Sequence, residues 1–285
     1  MGPPLAELPL PYPFEREYMQ YALMAGVLVG GCAPLIGAFL VQKRLSLMGD
    51  GIGHVAFAGV AAGLLLEVWP VGTALLAAMI GAMVVEWLRS RRSESGDLAL
   101  ALLFYVGIAG GVVLAGKADG LDAGLLSYLF GSILTVSTAD AWTVAALGAA
   151  IVVVVAAGWR TLFSVTIDES SARVAGMPVD GLNLALAALA AVTVVAAMRV
   201  VGVLLVAALM VLPVGAAQRL AGSFRATLVG SAVIGAGSAV AGLVIARLYS
   251  LAPGGTIVLV AAASYLAAIS WASGRNLLAG RARSG

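Results

Sequence analysis

The chain has 285 residues, 62% hydrophobic and only 11% charged, with a formal net charge of +2. Soluble domains carry charge on about a quarter of their residues, so this composition excludes an ordinary soluble enzyme or a nucleic-acid-binding module. The apolar runs are continuous and near the roughly 20 residues that cross a bilayer as helix, which excludes a barrel of short alternating strands. The expected fold class is all-α: a polytopic integral membrane protein with eight or nine transmembrane helices.

In chain order, residues 1–18 are Pro-rich and acidic. They lack the basic start and short apolar core of a cleavable signal, so the first span is expected to be retained, with this segment outside the cell. Spans are expected at about 19–41, 46–66, 70–88, 97–116, 138–158, 182–197, 200–218, 226–249 and 253–272. Only Met198-Arg199 separates the sixth from the seventh, and fusion there would leave eight. The stretch 121–136 is apolar but too short to cross, which predicts a re-entrant or interfacial helix. Pro34 and Pro213 fall inside spans and are expected to kink them. Gly26–Gly30, Gly59–Gly63 and Gly107–Gly111 have the spacing of tight helix packing. The single Cys32 cannot form an intrachain disulfide.

Lys43, Arg44, Arg89, Arg91, Arg92, Arg160, Arg173, Arg219, Arg225, Arg275, Arg281 and Arg283 all fall on one side of the alternating spans. Arg16, Lys117, Arg199 and Arg247 fall on or near the other. The rich side is expected to be cytoplasmic, with the N-terminus outside and a short basic tail, 273–285, inside. The spans together form one permease-like membrane domain, about 19–272. The longest cytoplasmic connection, 158–181, reads GWRTLFSVTIDESSARVAGMPVDG. Asp168 and Glu169 suit the first turn of a short helix, where the dipole favours anions. Gly176 would end it, with Pro178 just beyond.

Two polar residues stand out within LSLMGDGIGHVAFAGVAAGLLL, residues 45–66. Asp50 and His54, the chain's one histidine, are four residues apart and project from one helix face. Counted from Leu45 they lie about 7 Å and about 13 Å deep. An ionisable group in mid-membrane costs roughly 2.5–3.5 kcal/mol and marks ion or proton pathways by default. One reading is a buried Asp–His hydrogen bond that joins helices. The other is a passage for a cation, because one oxygen and one nitrogen donor suit zinc, manganese or ferrous iron. Two ligands leave the shell incomplete, so water, carbonyls or a second subunit would supply the rest. Glu86, Glu67 and Asp140 read as helix-end charges, the last two able to guide cations, and Arg199 is expected to pair with one of them. The spacing GxxxxGK at Gly111–Lys117 is followed by Ala118 rather than Ser or Thr, and it ends a helix instead of opening one. No thiolate cluster or nucleophile–base arrangement is present, so neither ATP binding nor catalysis is expected of this chain.

SLMGDGIGHVAFAGVAAG (46–63), SYLFGSILTVS (127–137) and DESSARVAGMPV…MRVVGVLLVAALMVLPVGAAQRLA (168–221) resemble the membrane subunits of zinc/manganese ABC importers. The resemblance implies a type II ABC importer-like bundle in the plasma membrane, working as a homodimer. It implies two cytoplasmic ATPase subunits, which hold the ATP, and an extracytoplasmic binding protein that delivers the metal. Asp50 and His54 take the family's metal-contact positions. Asp168, Glu169, Ala172, Arg173, Gly176 and Met177 take those of the ATPase coupling helix. Some relatives carry His-rich or acidic cytoplasmic loops, and this chain has none. Two other functions remain open: a secondary transporter or channel for divalent cations, and an ABC permease for a metal chelate or organic cofactor.

Overall fold

The computed structural model describes residues 15–90, 96–117, 123–132 and 138–283. Within them the chain forms α1 (Glu17–Gln42), α2 (Met48–Leu65), α3 (Pro70–Ser90), α4 (Gly96–Lys117), α5 (Ala123–Phe130), α6 (Thr138–Ile167), α7 (Glu169–Val174), α8 (Val179–Ala197), α9 (Val206–Leu220), α10 (Phe224–Tyr249) and α11 (Pro253–Arg283). Eight of these helices are long and apolar enough to cross a membrane, and the protein is a multi-pass membrane bundle. Arg91, Arg92, most of residues 1–18 and parts of the 121–136 stretch lie outside the described residues.

The expected division at Met198-Arg199 is real but takes an unexpected form. α8 ends at Ala197, and residues 198–205 are turns before α9 begins. With 15 residues, α9 is about 22 Å long at 1.5 Å per residue, short of a bilayer core of about 30 Å. It tolerates this because Val206, Leu209, Met210 and Val214 are buried in the bundle. The expected spans also need correction at α6, which continues about two and a half turns past Gly158 to Ile167. Aromatic packing explains the extension: Trp159 stacks on Phe163 at 5.5 Å, Phe163 meets Phe224 at 5.0 Å, and Phe224 meets Phe39 at 5.2 Å. The connection expected over 158–181 therefore shrinks to α7 and its flanks. At the other terminus, residues 273–283 prolong α11.

Small residues set the helix spacing. A Cβ at Gly30 would lie 2.5 Å from the carbonyl oxygen of Gly235, so α1 and α10 touch backbone to backbone. Gly59 and Gly63 likewise face α3 at Ala74 and Pro70, and Gly107 and Gly111 face α2 at Val55 and Phe57. All three predicted spacings thus sit at helix crossings. α1 and α9 run through Pro34 and Pro213 as single helices.

The α8–α9 break lies inside the protein, where bare polar backbone needs internal partners. The short helix α5 supplies them. Val203 N–H donates to the Tyr128 carbonyl at 2.9 Å, Leu204 N–H to Leu129 at 3.3 Å, and Ser132 N–H to Arg199 at 3.4 Å. Gly131 (φ 74°) and Gly202 (φ 93°) both have left-handed backbones and face each other across this contact. Arg199 clamps the junction. Its guanidinium forms a two-pronged bond with Asp140, at 3.0 Å on each arm, and lies 4.9 Å over the Tyr128 ring. Asp140 is thus the acid that Arg199 was expected to find. Replacing Gly202 by Ala should cost about 1–3 kcal/mol through the positive φ alone. The expected outcome is a lower unfolding temperature for detergent-purified G202A, whereas Gly255→Ala, in open space, should leave it unchanged. Equal midpoints for both would contradict a tightly packed junction.

Candidate metal site and docking element

Asp50 is the third residue of α2 and His54 the seventh. Most of α2 is buried, but Leu47, Asp50, His54, Ala58 and Ala62 are partly or fully accessible. These residues recur at three- and four-residue spacing, so they form a partly open stripe along one face of the helix, with Val55, Leu64 and Leu65 also partly accessible. The two candidate ligands are in it. Asp50 falls in the first turn of α2, where the exposed N–H groups and the helix dipole favour a carboxylate.

Close approach from both sides holds the stripe in place. Behind it, a Cβ at Gly53 would sit 2.9 Å from the Val203 carbonyl oxygen of the interrupted segment. On the α4 side, a Cβ at Gly107 would lie 2.8 Å from the His54 carbonyl carbon, so α4 presses on the backbone there. One turn away on α4, the Phe104 ring meets the His54 imidazole edge-on at 4.3 Å. Phe104 also lines a cavity of about 300 Å³ with Leu47, Asp97 and Tyr105. Among the described residues no three His, Cys, Asp or Glu side chains converge to hold a metal. Asp50 and His54 are thus two partly accessible donor side chains on one face of α2.

The second candidate site is α7. Asp168 is its N-cap, with the carboxylate accepting from Ser171 N–H at 3.0 Å. Hydrogen bonds from the Ser171 hydroxyl and N–H hold the Asp168 carboxyl below its usual range. The ionised cap is thus intact at neutral pH and is lost only as pH falls through that lowered value. At the other end Gly176 has φ 78°. Its N–H donates to Arg173 and that of Met177 to Ala172, both at 3.1 Å. This is the paired bonding of a Schellman motif, with Met177 packed on Ala172.

The six predicted docking residues divide by position. Ala172 is buried with Val165 and Val179 and anchors the helix from beneath. Asp168, Arg173 and Gly176 are exposed, while Glu169 and Met177 are half-buried. Arg173 forms a two-pronged bond with Asp180, at 3.1 and 2.7 Å. Sequence reasoning missed Val174, which is 91% exposed at the tip of α7; an apolar residue in so polar a stretch was the available signal. It also missed Lys43 and Asn183, both bonded to Glu169, and Phe104, which no local pattern could link to His54. Glu86 is buried and pairs with Arg89 at 2.6 Å. Glu67 is exposed, in a left-handed turn after α2.

Comparisons with known proteins agree with this architecture. A solved structure of PsaBC from Streptococcus pneumoniae in complex with Fab is 30% identical, with a TM-score of 0.81, covering 89% of this chain and 91% of that one. The manganese transport system membrane protein MntC of Halalkalibacterium halodurans is 30% identical over 190 residues, 67% of this chain and 65% of the relative. The high-affinity zinc uptake system membrane protein ZnuB of Haemophilus influenzae is 28% identical over 193 residues, 67% and 73% of the two chains. The pattern of the ABC 3 transport family is matched over residues 15–272. The chain belongs to the ABC 3 transport family.

Proposed function

We propose that this chain is the permease subunit of an ATP-driven importer that carries a divalent transition metal, zinc or manganese, across the plasma membrane. The observation that carries this reading is that Asp50 and His54 share one partly open face of α2. Buried ionisable groups that merely join helices would be turned into the bundle. These two remain partly accessible, and a second copy of the chain would enclose the space beside them. In a homodimer two such stripes bring two carboxylates and two imidazoles to one passage, and water completes the shell of an ion that must leave again. Relatives named for manganese and for zinc uptake support this substrate class.

Orientation follows from charge. The end of the bundle that holds Lys43, Arg89 and Arg173 is cytoplasmic, with the N-terminus outside and the C-terminus inside. A metal-binding protein delivers the ion at the outer face, and two ATPase subunits, which do the ATP hydrolysis, dock on α7 of each permease. The capped, compact α7 presents Val174 at its tip, with Arg173 and Asp168 beside it. When the ATPases close on ATP they draw the two α7 helices together and switch the passage between its two openings. A cation channel or secondary transporter would have no use for such an element.

Two outcomes test the reading. Uptake of radioactive zinc and manganese should fall in Asp50→Asn and His54→Ala cells by at least the roughly ten-fold that loss of even an outer-shell partner costs a metal site. Normal uptake at normal membrane levels in both would remove the pair from the pathway, and loss in Asp50→Asn alone would favour a proton-coupled route. Gly176→Val, which forces a β-branched residue to φ 78°, should distort the end of α7 and abolish co-purification of the ATPase. Undiminished co-purification would place docking elsewhere.

A further inference from the structure

Lys43 is the C-cap of α1, yet its side chain is only 5% exposed. The ammonium uses all three of its donors within the protein. It reaches the Val165 carbonyl at 3.4 Å, Glu169 Oε2 at 3.2 Å and Asn183 Oδ1 at 2.7 Å. Asn183 closes the triangle by donating to Glu169 Oε1 at 3.3 Å. One residue of α1 is thereby tied to the last turn of α6, the first residue of α7 and the start of α8. A buried charge with every hydrogen bond satisfied is costly to separate from its partners, so these four helix ends are expected to move as one body.

The hydrogen bonds of this triangle point toward α1, α6 and α8. Between α7 and the end of α3 lies a cleft of about 470 Å³, lined by Glu86, Arg89, Glu169, Arg173 and Asp180 among others. Glu86 and Arg89 bond to each other, and Glu86 lies close enough to Lys43 and Glu169 to feel their charges. The hydrogen bonds at Glu169 thus lead to α1 and α8, and α8 in turn packs on α3.

From Lys43 the route to the metal site is short and stiff. Arg44 adopts φ 61°, its N–H donates to Val41 at 3.0 Å, and Leu45 N–H donates to Leu40 at 2.8 Å. These are the two bonds of a Schellman motif, here with Arg rather than Gly in the left-handed position. Met48 N–H then donates to Leu45 at 2.9 Å and Gly51 N–H to Leu47 at 3.1 Å. Leu45 and Met48 are buried. No unbonded turn separates the Lys43 ammonium from the first turn of α2, which carries Asp50.

We propose that Lys43 is the positioning residue that transmits movement of α7 through the α1–α2 corner to Asp50 and His54. The proposal rests on α7 being the ATPase docking element. It assigns Lys43 no contact with the ATPase or the metal, only the conversion of one event into the other.

The test uses the permease–ATPase complex in proteoliposomes, with zinc uptake, ATP hydrolysis and retention of the ATPase measured together. Lys43→Met and Asn183→Leu should keep the ATPase bound and hydrolysing while zinc moved per ATP falls about ten-fold, a typical coupling free energy. Lys43→Arg, which keeps the charge and the donors, should recover most of that ratio. A role in stability alone would lower the amount of complex without changing the ratio. If Lys43→Met does not accumulate in membranes, Asn183→Leu carries the same test from the other side of the triangle. An unchanged ratio overturns the proposal. Loss of the ATPase in both variants also overturns it, since Lys43 would then serve docking itself. Docking on α7 fails separately, by retention of the ATPase in Gly176→Val.

Discussion

A backbone amide in hydrocarbon has no water to bond to, and this constraint shapes the whole bundle. Most of the chain meets it with uninterrupted helix. The break between α8 and α9 cannot, and the structure places it where α5 can bond to it. Buried Val200, Val201 and Val203 surround the junction, and the Arg199–Asp140 pair ties it to α6. Irregular backbone at membrane depth is tolerated only in such surroundings. Here its consequence is local and specific, because the Val203 carbonyl comes to rest against Gly53, beside His54. Interrupted helices near a substrate site are a recurring feature of transporters.

Small residues let the neighbours of α2 come close without covering it. Gly53 and Gly107 bring the α8–α9 junction and α4 into backbone contact with it, and the remaining, partly open stripe presents Asp50 and His54. The helix is gripped from the sides and partly free along one line. Under the proposed function, a ligand pair on such a line would have fixed spacing but an unfilled coordination shell, which suits transient binding better than storage.

α7 solves a different problem. Six residues are far too few for a helix to be stable in water by itself. It is held by a cap at each end, by Ala172 in a small apolar cluster with Val165 and Val179, and by ion pairs to Lys43 and Asp180. Stiffness at the surface, joined to a stiff α1–α2 corner, is the property that the docking role proposed for α7 would need.

Much of this was legible in the sequence because the bilayer imposes simple rules on it. Apolar run length set the number of passages, and Asp50 and His54 were conspicuous as polar residues in an apolar span. Three motif blocks pointed to the family, and Asp168, Gly176 and Pro178 bounded α7 through capping chemistry that depends only on neighbours in the chain. Small-residue spacings marked crossings but not partners. What tertiary structure alone decided were contacts between residues far apart in the chain: Phe163 on Phe224 and Arg225 over Trp159, which extend α6; α5 on the α8–α9 break; Phe104 on His54; and Lys43 on Glu169 and Asn183. Hydropathy and local propensity carry no term for such pairs, because their energy exists only once distant helices have been packed side by side.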